Sequence, residues 1–320
     1  MILDLADLGL DEGATVLVKR ALAASPVITV RGTAPTLALD LAAWCRAQGH
    51  GCAGLVVTRG PFDRLGGAER AGGLDEVVAH PPAWWGLAAR GALVEAGAPA
   101  LDLPLAGKRE VWADEAARLY AQAAAAQWDP ATAIPWDAPI AHGAEVEDAI
   151  VQVMTYLIEN ETAALLVPAR FLGKLHPHFR EVMQLLAIQA ADEARHIEVF
   201  TRRARLRRTE LGLSTAGGQA SLASLFDEPD FAIASFLLAV LGEGSFLALL
   251  HFLRDRAPDA CTREVARLAA QDEARHVAFG LAHLARHVTE EPALRGRLGR
   301  LGFGVEQAAA LSALHTRNFM

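Results

Sequence analysis

Apolar residues recur at helical spacing through most of the chain beyond Val111, in four long segments near 142–167, 177–208, 230–256 and 259–288. Breaks fall at Pro168, at "STAGGQ" with Pro229, and at Pro258. A shorter helix is predicted near 113–127, followed by "WDPATAIPWDAPI", whose prolines forbid a regular helix, and a last helix near 304–316. Four helices of this length predict a bundle. Residues 1–58 alternate helix-like stretches ("ATVLVKRALAA", "TLALDLAAWCRAQGH") with β-branched ones ("VITVRG", "AGLVVTRG"), the pattern of a small α/β domain. Between 59 and 110 Gly, Pro and Ala dominate and periodicity fades, which marks a surface connector before a helical domain at 111–320. The expected fold class is mainly α.

One segment is nearly unbroken in its apolarity. Phe231 to Leu253 is long enough to span a membrane, yet carries Glu243 near its centre. A lone buried carboxylate costs several kcal/mol or takes up a proton unless a counter-charge is present. The next segment contains "QDEARHVAFG", and eighty residues earlier stands "ADEARHIEVF". Residues three apart share a helix face, so Glu193 with His196, and Glu273 with His276, project together. Both pairs lie on apolar stripes, the first running through Val182, Leu185, Leu186, Ile197 and Phe200, and the second through Val265, Leu268, Val277 and Leu284.

The helix before the first pair offers Glu161 on its apolar face, with Glu159 as the alternative on a more polar side. Glu161 precedes Glu193 by 32 residues and Glu243 precedes Glu273 by 30, so a helix with Glu followed by a helix with Glu-x-x-His occurs twice. Four carboxylates and two imidazoles suit iron or manganese, and that many donors serve two divalent ions better than one. Asp192 and Asp272 are natural acceptors for the second N–H of each histidine, within one copy of the motif or across the two, with Arg195 and Arg275 balancing their charge. An exposed helix with ordinary ion pairs is the plainer reading of one such word, and two copies weigh against it.

The remaining composition narrows the partners. A formal charge of −8 gives no footprint for nucleic acid or an anionic membrane. Cys45, Cys52 and Cys261 form no C-x-x-C pair, which argues against zinc ribbons and cysteine-held clusters. The acidic N-terminus lacks the marks of a secretory signal, so a cytoplasmic location is expected. The five arginines of "TRRARLRR" are read as solvated and complementing a helix terminus, or else as a docking patch for an acidic electron-transfer protein. His283 and His287 are expected at the surface or behind the site. Trp84, Trp85, Trp128 and Trp136 are expected to pack, the last two as a possible roof.

These residues resemble the ferritin-like di-iron carboxylate proteins, and among them the oxygenase branch, including the hydroxylase subunits of bacterial multicomponent monooxygenases, which carry similar DE-x-RH words. "ENETAALL" and "LGEGSFLALL" belong to the match, which spans about 142–288. The resemblance implies a ferritin-like four-helix bundle and two Fe ions, with Mn or mixed Mn/Fe as variants. It implies that Glu161 and Glu243 are mainly terminal ligands and Glu193 and Glu273 bridging ones, with one histidine per ion. It further implies O2 activation, a small-molecule substrate and an external ferredoxin or reductase; a homodimer is left open. Two positions depart from relatives: Leu247 stands where the hydroxylases have threonine, and Ala269 where arylamine N-oxygenases have a third histidine. The competing functions are a ferroxidase or iron-handling protein and a metal-stabilised scaffold. Residues 1–58 resemble the TusA-like sulfur carriers, chiefly in "VRGTAPTLALDLAAWCRAQGH". The family's Cys-Pro motif is absent from "LDEGATVL", so docking or covering is expected of this domain in place of sulfur transfer.

Overall fold

The computed structural model describes residues 1–60 and 65–300, and the helix expected near 304–316 lies outside them. The chain divides into two compact units: Met1–Ala71 with Gly91–Pro99, and Gly72–Arg90 with the chain from Ala100 onward. The first unit runs β1 (Ile2–Asp4), α1 (Thr15–Ala24), β2 (Val27–Arg31), α2 (Leu37–Gln48), β3 (Gly51–Ala53) and β4 (Val56–Thr58). Its sheet has the order β1-β2-β4-β3, with β1 parallel to β2 and β4 antiparallel to both neighbours. Val18, Leu22 and Leu41 of the helices pack with Ile28, Val30 and Val57 of the sheet to form its core. Two short strands, β5 (Glu69–Arg70) and β6 (Leu93–Val94), pair within the same unit.

The second unit holds α3 (Lys108–Val111), α4 (Ala116–Ala125), α5 (Ala144–Leu172), α6 (Arg180–Ala204), α7 (Ala216–Asp227), α8 (Phe231–Ser235), α9 (Glu243–Arg256), α10 (Ala260–Glu290) and α11 (Ala293–Arg300). A π-helical turn, Phe236–Gly242, joins α8 to α9. Pro168 does not end α5, which continues to Leu172. The ring removes one backbone donor, a cost offset by the burial of Val167, Pro168 and Phe171 in the core. The "STAGGQ" break also proves partly helical, because Leu222 and Leu225 give α7 a weak apolar face against α5 that two leucines among Gly and Ser do not announce.

Two apolar layers sandwich a polar one. Ile150, Met154 and Leu157 of α5 share the first layer with Val199 and Phe200 of α6, Leu247 and Leu250 of α9, and Val265 and Leu268 of α10. Val167 and Phe171, Val182 and Leu185, Phe231 and Leu238, and Phe279 make the second. Chain direction follows from this order: α5 and α6 are antiparallel, α9 runs with α6, and α10 returns. One crossover, which carries α7, therefore joins α6 to α8, the connectivity of a ferritin-like bundle. Ala144–Leu172 and Phe231–Arg256 are long and apolar enough to cross a membrane by length and composition, and half of each apolar window is buried within the fold.

Candidate metal centre

The polar layer between the two apolar ones contains Glu161, Glu193, His196, Glu243, Glu273 and His276, all buried. They arrive on four helices: Glu161 from the middle of α5, Glu193 and His196 from one turn of α6, Glu243 from the first turn of α9, and Glu273 and His276 from one turn of α10. The π turn before Glu243 sets the angle at which α9 begins, and such turns recur at functional sites. α10 approaches that turn closely at Gly280, where a Cβ would stand 2.6 Å from the Ala239 methyl.

Donor atoms form two groups, Glu161, Glu193, His196 and Glu273, and Glu193, Glu243, Glu273 and His276, each within 4.8 Å of one another. Glu193 and Glu273 belong to both. Around His196 Nδ1, Glu193 Oε2 lies at 3.1 Å, Glu273 Oε1 at 3.3 Å and Glu161 Oε2 at 3.6 Å. Around His276 Nδ1, Glu193 Oε1 lies at 3.0 Å and Glu273 Oε2 at 3.3 Å. Neighbouring ligands of one ion with bonds of about 2.1 Å are separated by about this much. Glu159 is half-buried and belongs to neither group.

The other face of each imidazole settles its tautomer. His196 Nε2 is 3.2 Å from Asp272 Oδ2, and His276 Nε2 is 3.4 Å from Asp192 Oδ2. Each aspartate therefore serves the histidine of the opposite helix, not its own. Burial would raise both aspartates, but the facing histidines outweigh it and hold them low, so they remain acceptors and Nε2–H must donate. That leaves Nδ1 aimed at the carboxylates. Arg195 donates to Asp192 and, at 2.8 Å, to Asp272, while Arg275 donates to Asp272 and stands 3.7 Å from Asp192. The outer charges thus cancel.

Two further residues, Gln127 and Gln189, join the site without having been named from the sequence, and Trp128, expected to pack as a roof, lies against it. Gln127 Nε2 donates to Asp192 at 2.9 Å and Trp128 Nε1 to Asp272 at 2.8 Å, from the irregular segment just after α4. Trp128 also stacks with His196, ring planes 17° apart, and lies under the Arg195 guanidinium. Gln189 Nε2 donates to Glu243 Oε1 at 3.0 Å. Gln189 was discoverable, since it sits one turn before Glu193 on a stripe where an uncharged polar residue needs a reason.

The inner electrostatics are unbalanced. Burial, reinforced by the charges of Glu273 and Glu193, pushes Glu161 and Glu243 well above the carboxylate range. Burial alone would lower both histidines, yet Glu161 beside His196 and Glu193 beside His276 raise them well above 6.5. Glu193 goes the other way: burial opposes its charge, but His276 and His196 hold it low. Protons occupy the places that cations would take. Glu243 Oε2 and Glu193 Oε1 have no hydrogen-bond partner, although His276 Nδ1 faces the latter at ion-pair distance. Stripped of those protons the inner groups carry −4, which two divalent ions match.

An apolar cavity of about 40 Å3 opens on Glu161, Glu243 and Glu273, walled by Ala164, Leu238, Phe246 and two leucines of α7. Leu247, which stands where the hydroxylases have threonine, is not part of this lining and packs into the first apolar layer. The arginine run is solvated at Arg202, Arg205 and Arg207, as expected, but Arg203 is completely buried because the inward stripe of α6 extends one turn past Phe200. Arg202 lies over Trp136 at 4.0 Å, and Arg208 pairs with Asp148. His283 and His287 are buried, not superficial, and His283 Nε2 meets the Glu110 carbonyl at 2.9 Å; burial drives its pKa down to about 4. Trp85 is buried against His178.

No protein-family model matches the chain, and no curated protein does. Solved structures similar to it include two point variants of an R2-like ligand-binding oxidase, one with an anaerobically and one with an aerobically reconstituted Mn/Fe cofactor. Each is 18% identical and covers 62% of this chain and 78% of its own, with TM-scores of 0.49 and 0.47.

Proposed function

We propose that this protein is a two-metal oxidase or oxygenase that uses O2 to oxidise a small organic substrate at an Fe/Fe or Mn/Fe pair. The supporting observation is that two buried donor groups, each with one histidine and one private glutamate, share Glu193 and Glu273. In this reading His196 and Glu161 would hold one ion and His276 and Glu243 the other, with Glu193 and Glu273 available to both. Oxygen and nitrogen donors without thiolate favour iron and manganese. When bound, such a pair supplies the redox chemistry of oxygen activation.

The chain's own residues position and insulate. Asp272 and Asp192 hold the Nε2–H of His196 and His276, fixing both rings and strengthening Nδ1 as a donor. Gln189 grips Glu243 through Oε1 and leaves Oε2 directed inward. Arg195 and Arg275 keep the aspartates ionised without adding charge to the layer. Leu238, Phe246 and Ala164 keep bulk water from the carboxylates. Electrons for turnover come from a separate ferredoxin or flavoprotein reductase.

Iron handling is the competing reading, and the apolar wall of the cavity suits O2 or an uncharged substrate better than a hydrated cation. Anaerobic loading with two equivalents of Fe(II) followed by an oxygen pulse separates the two. A transient visible absorption that decays without mineral growth supports the oxidase; continued uptake of iron into a mineral supports iron handling; no reaction leaves only a structural metal site.

A further inference from the structure

The cavity beside the carboxylates raises a question of size. One water needs about 10–15 Å3 of such space and a benzene ring a cavity of about 150 Å3, so about 40 Å3 has room for O2 or two to three waters and falls well short of an aryl group. The walls from α5, the π turn, α9 and α10 belong to the packed bundle. The remaining wall is α7, and it is built differently.

Among the described residues α7 buries none of its side chains, and only Leu222 and Leu225, which share one face at i and i+3, turn toward the cavity. Gly217 and Gly218 in its first turn, with Ser221 and Ser224, give it weak intrinsic helicity, about 1 kcal/mol lost per glycine relative to alanine. Twelve residues is short for a helix that packing does not support. Both ends are nevertheless tied to α5. Leu213 donates its N–H to Gln152 Oε1 and accepts from Gln152 Nε2, each at 2.8 Å, and Gly212 N–H donates to Thr155 Oγ1 at 2.7 Å. At the far end Arg170 donates to the Glu228 carbonyl at 2.6 Å and lies over the Phe226 ring. A weak helix fixed at both ends and lightly held between them is the kind of segment that opens locally at small cost.

We propose that α7 is the movable wall of the substrate pocket, and that Leu222 and Leu225 determine which substrates reach the centre. With α7 seated, only molecules the size of O2 pass. With it displaced, an apolar alkyl or aryl group enters against Leu238 and Phe246, and Asn160 is the one neutral polar residue of the lining available to orient it. The proposal rests on the oxidase reading for the word substrate, and its test does not.

The full chain, metal-free and loaded with two Mn(II) ions, is titrated with trifluorotoluene and followed by 19F NMR. Leu222→Ala combined with Leu225→Ala should bind the probe at least tenfold more tightly than the parent chain, and bound Mn(II) should broaden the probe signal, placing it beside the centre. Gly217→Ala, at a position where a Cβ meets nothing within 4 Å, stiffens α7 and should slow probe exchange several-fold without touching the cavity. Equal affinity in the leucine variant or unchanged exchange in the glycine variant overturns the proposal, as does tighter binding to protein that has taken up Mn(II) with no broadening of the probe signal. A chain that fails to take up two Mn(II) ions but shows both variant effects overturns the oxidase reading and leaves the movable wall standing.

Discussion

Two polar clusters are buried in the same bundle, about 21 Å apart along α5, and they solve the problem of burial in opposite ways. At Glu147 the Arg203 guanidinium uses every nitrogen: Nη1 and Nη2 donate to Glu147 at 2.8 and 3.1 Å, Nη2 to Asp259 at 2.9 Å, and Nε to Thr262 at 2.6 Å. Asp259 caps α10 through the Thr262 N–H at 2.7 Å, and His142 Nε2 stands 2.6 Å from Glu147. At Glu161 four carboxyls crowd two imidazoles, Glu243 Oε2 has no partner, and Glu193 Oε1 has no hydrogen bond, only the His276 imidazole at ion-pair distance. In the first cluster every charged group is paired within the polypeptide, and only the uncharged Nδ1 of His142 lacks a partner. The second is complete only with cations, which is the physical content of calling it a metal centre.

The sharpest break in this comparison comes from Arg203→Met. It strands Glu147 and Asp259 without a counter-charge and should cost about 3–5 kcal/mol in urea unfolding, with or without metal. Glu243→Gln should behave in the reverse sense. It removes a crowded carboxyl, so the metal-free chain should be as stable or up to about 1 kcal/mol more stable. The same change should abolish the stabilisation that metal gives the parent chain, about 4 kcal/mol when the free ion is a thousandfold above its dissociation constant. Equal destabilisation by both variants in metal-free protein would erase the distinction.

Smaller effects sharpen it. Asp272→Asn weakens the acceptor for His196 Nε2–H and should lower the affinity of one ion 10- to 100-fold while the other changes less, read from a two-site Mn(II) titration. A pH series separates the clusters by window. Burial would raise Glu147 and Asp259, but hydrogen bonds from Arg203 hold them below their ordinary 4.5 and 3.8. Folded values below the unfolded ones mean the stabilisation is full above about pH 4.5 and lost as pH falls through the lowered values. In the centre, protons on Glu161, Glu243, His196 and His276 are held at raised values and must leave for metal to bind. Affinity should climb with pH through neutrality, and loading Mn(II) at pH 7 in weak buffer should release more than one proton per chain. Uptake without proton release contradicts the assignment of those groups as donors.

Much of the bundle and its polar layer was legible because burial and chemistry conflict in plain sight. A glutamate in an apolar run and a doubled Glu-x-x-His word each demand a counter-charge, and spacing alone puts them on inward faces. The crosswise pairing of aspartate and histidine was not legible, since it depends on how α6 and α10 face each other. Gln127 and the hydrogen bond from Trp128 to Asp272 were hidden because both act from irregular backbone, where periodicity says nothing about direction. Arg203 was missed for another reason: among five arginines its inward position is marked only by lying seven residues after His196. The burial of His283 and His287 shows the same limit, for a histidine on a long helix is equally at home in water or against a carbonyl.

Anomalous diffraction at the iron and manganese edges, from crystals of the full chain loaded without oxygen, bears on the centre most directly. Two peaks per chain are expected, one bonded to His196 Nδ1 and one to His276 Nδ1 at about 2.0–2.2 Å, with Glu193 and Glu273 touching both. A single peak, or an empty layer with Glu161 and Glu243 turned away from the histidines, would contradict the two-metal assignment.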